Sequence, residues 1–233
     1  VVDQDIMDLY VARLVEGFDG GAYRIGWDAG NGAAGPVIEK LVKLLPGEHH
    51  LLFTDVDGNF PNHHPDPTEE KNLADLKKLV ADNRLDFGVA FDGDGDRAVF
   101  VDENGRSIAS DLMTALMARR QLAHRPGGLV LYDLRSSRAV AEEVEKAGGV
   151  AELCRVGHSF VKAQMRETGA IFAGELSGHT YFRFPNGLVA DDAIAALVAL
   201  LDVLAVEQRP LSEIVDPLRR YSASGEINRH VVD

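Results

Sequence analysis

The chain has 233 residues, 45% of them apolar, enough for one large domain or two of ordinary size with real cores. A formal net charge of -13, spread over the whole length, argues against a nucleic-acid-binding surface and against an anchor on anionic membrane. The single cysteine, Cys154, rules out an internal disulfide, and with no signal peptide and no long uncharged apolar run the chain reads as soluble and cytoplasmic.

Apolar residues at helical spacing over residues 3–18 predict an opening helix, stopped by Gly17 and Gly20-Gly21. Residues 23–27 then read as a strand, 28–32 as a tight glycine-rich turn and 33–45 as an amphipathic helix. The unit repeats with a strand over 50–54, a helix over 68–82 and a buried-looking strand over 87–91, which ends at a run of aspartates. Residues 98–102 are strand-like again, and 103–106 form a turn. A second series begins there: a helix capped by Ser110 and running to about 123, strand 129–132, helix 137–147 and strand 150–154. Helix 159–167, capped by Ser159, strand 170–173 and a long apolar helix over 191–206 complete it. Alternating strands and helices imply an α/β fold of two tandem domains, each a mostly parallel (mixed) sheet sandwiched by helices. The domains are expected at residues 1–104 and 105–218, with 219–233 a linker lacking a core of its own.

The chemistry concentrates in Asp92-Gly93-Asp94-Gly95-Asp96-Arg97. Three carboxylates this close repel one another, so keeping all three ionised calls for a cation, and oxygen-only ligands suit a hard one such as Mg²⁺. Open α/β sheets place ligands at the carboxyl ends of strands, where this loop should emerge. A calcium EF-hand matches the spacing through Glu103, but it needs glycine where Arg97 stands and helices where strands are read. Beside a metal, Arg97 can instead hold a phosphate oxygen by forked, charge-assisted hydrogen bonds.

A second constellation, Gly174-Glu175-Leu176-Ser177-Gly178-His179, also follows a strand. Its carboxylate can accept from two vicinal hydroxyls, and its histidine can donate to phosphate or move a proton. An ordinary capped turn is the plain alternative. Arg135 ends a further strand and could bind an anion. Gly157-His158-Ser159 is not a nucleophile elbow, and His158 reads as structural unless its loop meets the others. Asp28 to Gly32 lacks the lysine of a P-loop and reads as a tight turn.

Together the runs 92–97 and 174–179, in consecutive α/β domains, resemble the α-D-phosphohexomutase family, its phosphomannomutase/phosphoglucomutase branch most of all. Supporting segments are 28–32, 60–67, 132–135 and 157–159. Family members have four domains, and this chain resembles the second and third. The resemblance implies that Asp92, Asp94 and Asp96 bind Mg²⁺ together with a phosphoserine oxygen from the first domain, with Arg97 beside that phosphoryl group. It implies that Glu175 and Ser177 bind sugar hydroxyls, that His179 lies close to the reacting hydroxyl and phosphate, and that Arg135, Gly157 and His158 contact substrate. Arg135 stands where many relatives carry lysine. The implied partners are a phosphohexose and the first and fourth domains, and the implied activator and intermediate is a hexose 1,6-bisphosphate. The phosphoserine loop and the C-terminal phosphate-gripping loop appear nowhere in the sequence, so the chain reads as the central part of an intramolecular phosphotransferase, inactive alone.

Two rivals bracket this reading. One is a non-catalytic module that binds metal or sugar phosphate. The other is a haloacid-dehalogenase-type phosphatase, for which Asp55-Val56-Asp57 offers the paired aspartates without the sequence context or companion lysine. Leu176, between Glu175 and Ser177, leans away from the glutamine common in phosphoglucosamine mutases.

Overall fold

The computed structural model describes residues 6–18 and 20–222. The start of the opening helix, residues 3–5, and most of the expected linker, residues 223–233, lie outside the described residues. The first unit runs α1 (Ile6–Leu14), β1 (Tyr23–Asp28), α2 (Gly35–Leu41), β2 (Gly47–Leu52), α3 (Ala74–Asn83), β3 (Phe87–Phe91), β4 (Ala98–Asp102) and β5 (Ser107–Ile108). The second runs α4 (Ser110–His124), β6 (Leu129–Asp133), α5 (Ala139–Lys146), β7 (Val150–Cys154), α6 (His158–Thr168), β8 (Phe172–Gly174), β9 (Thr180–Arg183), β10 (Val189–Asp191), α7 (Ala193–Glu207) and α8 (Leu211–Val215).

Each unit builds a mixed five-stranded sheet, in the orders β2-β1-β3-β4-β5 and β7-β6-β8-β9-β10. Strand for strand these are the same topology. The first three strands of each unit are parallel, joined by helical crossovers, and the last two return antiparallel. The aspartate run joins β3 to β4 and the segment Glu175–His179 joins β8 to β9, so the two loops are topological counterparts. Both leave a central strand at its carboxyl end, where an open α/β sheet gathers its ligands.

Strand β3 reads as a continuous apolar run because it is buried along its whole length, and Trp27 of β1 stacks on its last residue, Phe91, at 6.4 Å. One hydrophobic core extends from β1 and β3 through α4 and α7 to Val130 and Phe172 of the second sheet, so the units share an interior. Among the described residues no helix is long and apolar enough to cross a membrane.

Several elements differ from the sequence reading. Strands β5, β9 and β10 and helix α8 were not anticipated, because two to five residues carry too little periodicity to register. Strand β5 pairs with β4, so the first sheet extends to Ile108. The helix expected from residue 68 opens as a 3₁₀ turn, Glu70–Leu73, before α3. Neither Ser110 nor Ser159 caps its helix: the cap positions are Ala109 and Gly157, and neither cap residue offers a side-chain bond. Asp192, in contrast, caps α7 by accepting from the Ala195 amide at 2.8 Å.

The joint between the units is partly polar. Tyr10 of α1 donates its hydroxyl to Asp192 at 2.8 Å, while Ser212 of α8 donates its amide and hydroxyl to Glu103 in the β4–β5 turn. Burial is the leading cause that raises both the Asp192 carboxyl and the Tyr10 phenol; the contact between them raises the phenol further and, by donating to the carboxylate, opposes the rise of Asp192. Replacing Tyr10 by Phe removes a donor from this half-buried carboxylate and should lower the unfolding free energy by ~1–2 kcal/mol, read as an earlier urea midpoint at unchanged slope. An unchanged midpoint would show that the contact holds nothing.

Candidate active site

The aspartate loop is organised from within by its first member. Asp92 is almost fully buried, and its Oδ1 accepts the amides of Gly95, Asp96 and Arg97 at 3.0–3.1 Å while Oδ2 accepts from Arg97 Nε at 2.7 Å. A side-chain oxygen thus gathers three successive amides that the reversal would leave unpaired. Gly95 sits at φ 81°, in the left-handed region where glycine is unstrained. Asp94 stands at the exposed tip, and Asp96 lies between.

The turn of residues 28–32, read from sequence as simply tight, is the floor beneath this loop. The Ala33 amide donates to Gly93 carbonyl at 2.9 Å, and a Cβ on Gly32 would come within 2.8 Å of the Gly93 oxygen and 2.9 Å of the Asp92 oxygen. Only glycine lets the two backbones lie that close. Asp28, fully buried, accepts the Gly30 amide at 2.9 Å through Oδ1 and lies 3.0 Å from His63 Nε2 through Oδ2. Asn31 accepts from Asn62 Nδ2 at 2.8 Å and donates to the Asp55 carbonyl at 2.8 Å, which ties the segment 55–63 to the same floor. Asp57, of the pair considered for a phosphatase, accepts the Asn59 amide at 2.9 Å.

The second loop meets the first edge to edge. Arg97 and His179 form an antiparallel bridge, Ala98 amide donates to Gly178 carbonyl at 3.2 Å, and His179 Nε2 lies 3.4 Å from Asp96 Oδ1. Backbone pairing across the boundary therefore holds the aspartate loop and the loop of residues 175–179 in one register. Glu175, nearly fully buried, accepts the Gly157 amide at 2.7 Å and the Tyr181 hydroxyl, so both of its oxygens are engaged. Ser177 Oγ lies 2.8 Å from His179 Nδ1. The rings of His158, His179 and Tyr181 stack in series, with centroids 6.3 Å and 6.0 Å apart.

Arg135 is half-exposed and donates Nε and Nη2 to Asp133 Oδ2 at 3.0 and 2.7 Å. Asp133 is fully buried and also accepts from Ser136 Oγ at 2.6 Å and the Leu176 amide at 3.2 Å, so it links Arg135 to the loop of Glu175. All the sequence-predicted site residues thus fall on one connected surface: the two loops, the Gly157–His158 turn and Arg135.

The electrostatics suit a cation. Burial first, then the charge of Asp92, pushes Asp94 up, and burial with the charges of Asp92 and Asp94 pushes Asp96 up to about 6 against the opposing His179. Arg97 is held above its ordinary value because Asp92, Asp66 and Asp96 outweigh its burial. Asp92, Asp94 and Asp96 each offer an oxygen within 4.8 Å of the others, an all-oxygen set that fits a hard divalent ion such as Mg²⁺. A bound dication would relieve the repulsion that now raises Asp94 and Asp96.

Sequence reasoning missed the residues that hold these in place. Asp133 and Tyr181 sit on strands and look like ordinary strand residues, and Asp66 reaches Arg97 Nη1 at 3.3 Å from a distant loop. Asp191 was read as the start of a helix, yet it ends β10 and pairs with Lys162 at 2.9 Å. The one signal in the sequence was the doublet Asp191-Asp192 before an apolar run, where a cap requires a single acid.

Two α/β/α units with an acidic loop and a Gly-Glu-x-Ser-Gly-His loop meeting at their carboxyl ends define a family. Residues 8–105 match the model for phosphoglucomutase/phosphomannomutase alpha/beta/alpha domain II, and residues 109–221 match that for domain III. The chain belongs to the phosphoglucomutase/phosphomannomutase family. It is 41% identical over 201 residues to a phosphoglucomutase of Neisseria gonorrhoeae, covering 86% of this chain and 43% of that one. It is 38% identical over 206 residues to a phosphomannomutase/phosphoglucomutase of Pseudomonas putida, covering 88% and 44%. A crystal structure of a family protein from Burkholderia thailandensis superposes with a TM-score of 0.87 at 40% identity, over 93% of this chain and 47% of that one. The chain thus spans about half the length of these relatives.

The His63–Asp28 contact carries a pH dependence. The hydrogen bond to Asp28 is the main cause raising His63 to about 9, with burial opposing and the His64 carbonyl and the charges of Asp28 and Asp75 assisting. A raised histidine contributes stability that is complete below the ordinary value of ~6.5 and is lost as pH climbs through about 9. In urea titrations, His63→Gln should therefore be less stable than wild type at pH ~6, and the gap should narrow as pH passes about 9. A gap independent of pH would mean that the charge on His63 does not brace the floor.

Proposed function

We propose that this chain forms the metal-holding and sugar-holding walls of a phosphohexomutase site that interconverts hexose 1-phosphate and hexose 6-phosphate, with glucose or mannose as the sugar. The observation that carries the reading is the register between the two loops, with His179 against Asp96 and Arg97. A phosphoryl group moving between a serine and a sugar hydroxyl needs charge neutralisation and a proton carrier at one place, and this junction supplies both.

Asp92, Asp94 and Asp96 would hold the Mg²⁺, which when bound neutralises charge on phosphoryl oxygens. Arg97 is oriented by Asp92 and Asp66 through Nε and Nη1, which leaves Nη2 to meet a phosphoryl oxygen. His179 is positioned to hold or move the proton of the reacting hydroxyl, its ring fixed between Ser177 and the stacked rings of His158 and Tyr181. Glu175 would accept from vicinal sugar hydroxyls, exchanging its present partners Tyr181 and Gly157 for them as the sugar enters. Ser177, Gly157, His158 and Arg135 complete the wall around the substrate. The phosphoserine and the grip on the second phosphate come, in this reading, from domains that flank these two in the whole enzyme. A hexose 1,6-bisphosphate that turns over within the site would present each phosphate to the same walls in turn.

Two outcomes test the reading. In the whole enzyme, Asp94→Asn should weaken the Mg²⁺ dependence and lower kcat at least ~100-fold, the scale of losing one electrostatic stabiliser of a developing charge. Turnover near that of wild type would sink the assignment. The 233-residue chain alone should convert no glucose 1-phosphate even with glucose 1,6-bisphosphate added, and activity should return when the flanking domains are supplied in trans. Robust conversion by the chain alone would place the nucleophile among the residues described above.

A further inference from the structure

Lys162 lies one helical turn beyond His158 on α6, and its ammonium sits where it governs that histidine. It donates to both carboxylate oxygens of Asp191 at 2.9 and 3.1 Å and approaches His158 Nδ1 at 3.2 Å. Asp191 comes from β10, which packs against α6, and is largely buried, while the His158 ring is more than half exposed. Among the described residues no other element places a charge on Nδ1: Asp191 itself stands off at 3.9 Å, and the His179 ring stacks on that of His158. An ammonium only donates, so a nitrogen that faces it at hydrogen-bond distance must present its lone pair.

From this geometry we infer that Lys162 is a positioning residue that holds His158 as the neutral tautomer protonated on Nε2. Asp191 anchors the ammonium, the ammonium occupies Nδ1, and the one N–H of the ring is left on Nε2, which makes no hydrogen bond among the described residues. Such a ring is a donor of fixed direction, in the plane of a ring stacked on His179. It can hold an oxyanion or a sugar oxygen without carrying a full charge of its own. Without Lys162 the carboxylate of Asp191, 3.9 Å away, would be the acceptor facing Nδ1 and would favour the tautomer with its N–H on that nitrogen. The inference rests on the phosphohexomutase reading only for what Nε2 faces; the tautomer itself is a property of the chain.

The test is long-range ¹H–¹⁵N correlation of the histidine rings in the 233-residue chain at about pH 8, above the ordinary histidine value. Wild type should show His158 with Nε2 protonated and Nδ1 bare, favoured about tenfold or more as a hydrogen bond to a charged donor gives. Lys162→Met should lose that preference, with Nδ1 protonated in a large fraction of molecules. Lys162→Arg should restore it, which a merely structural loss of packing would not predict. His158 with a protonated Nδ1 in wild type, or a tautomer indifferent to Lys162→Met in a folded chain, would overturn the proposal. Should Lys162→Met fail to fold, Asp191→Asn in the same spectrum decides: the His158 preference must weaken as the ammonium loses its anchor, and a preference that stays intact overturns the proposal. In the whole enzyme Lys162→Met should raise KM for glucose 1-phosphate several-fold with a smaller change in kcat. If Asp94→Asn leaves turnover intact while the tautomer still follows Lys162, the mutase reading fails and the positioning stands; the reverse pattern separates them the other way.

Discussion

The structure turns on the crowding of carboxylates at one strand end. Asp92, Asp94 and Asp96 stand within ligand distance of one another, and Glu175 and Asp191 stand close behind. In a protein interior such a cluster is costly unless each member has a donor or a cation, and the architecture around it reads as a set of donors. Asp92 is satisfied by three amides and Arg97, Asp133 by Arg135, Ser136 and the Leu176 amide, Asp191 by Lys162, and Glu175 by Tyr181 and the Gly157 amide. Asp94 and Asp96 are left with the weakest compensation, which is where burial and repulsion raise them. These two acids, Asp96 with only His179 and the edge of Arg97 near it among the described residues, are the ones whose repulsion a divalent ion would relieve most.

The same constraint explains why the loops of the two domains meet. A single acidic loop at a strand end makes a cation site but no cleft. The second unit repeats the topology of the first, so its own loop leaves the corresponding strand, and the bridge between Arg97 and His179 sets the two side by side. A shared hydrophobic core and the Tyr10–Asp192 and Ser212–Glu103 contacts hold that register from behind. Positioning of this kind is what the proposed phosphoryl transfer would demand, since little else of that chemistry falls to the protein.

Much of the fold was legible because the long elements carry strong periodic signals: β3 as an unbroken apolar run, α4 and α7 as long helices, the crossovers as amphipathic ones. Short strands were not, since β10 has three residues and its pairing with β9 comes from tertiary contact. The glycine-rich turn at residues 28–32 was underestimated for a related reason. Its glycine is needed because another backbone passes within contact distance, and no local pattern records which segment that will be.

The sequence by itself determined the two acidic and polar loops, their place after apolar strands, and hence the kind of ion and ligand they suit, because spacing and residue type are local properties. Only the tertiary structure decided which groups answer those loops. That Asp96 faces His179, that Asp133 ties Arg135 to the second loop, and that Lys162 reaches both Asp191 and His158 are contacts between separate elements. They exist because two sheets of the same topology pack with their carboxyl ends together, and a partner across that joint leaves no mark on the local pattern of either segment.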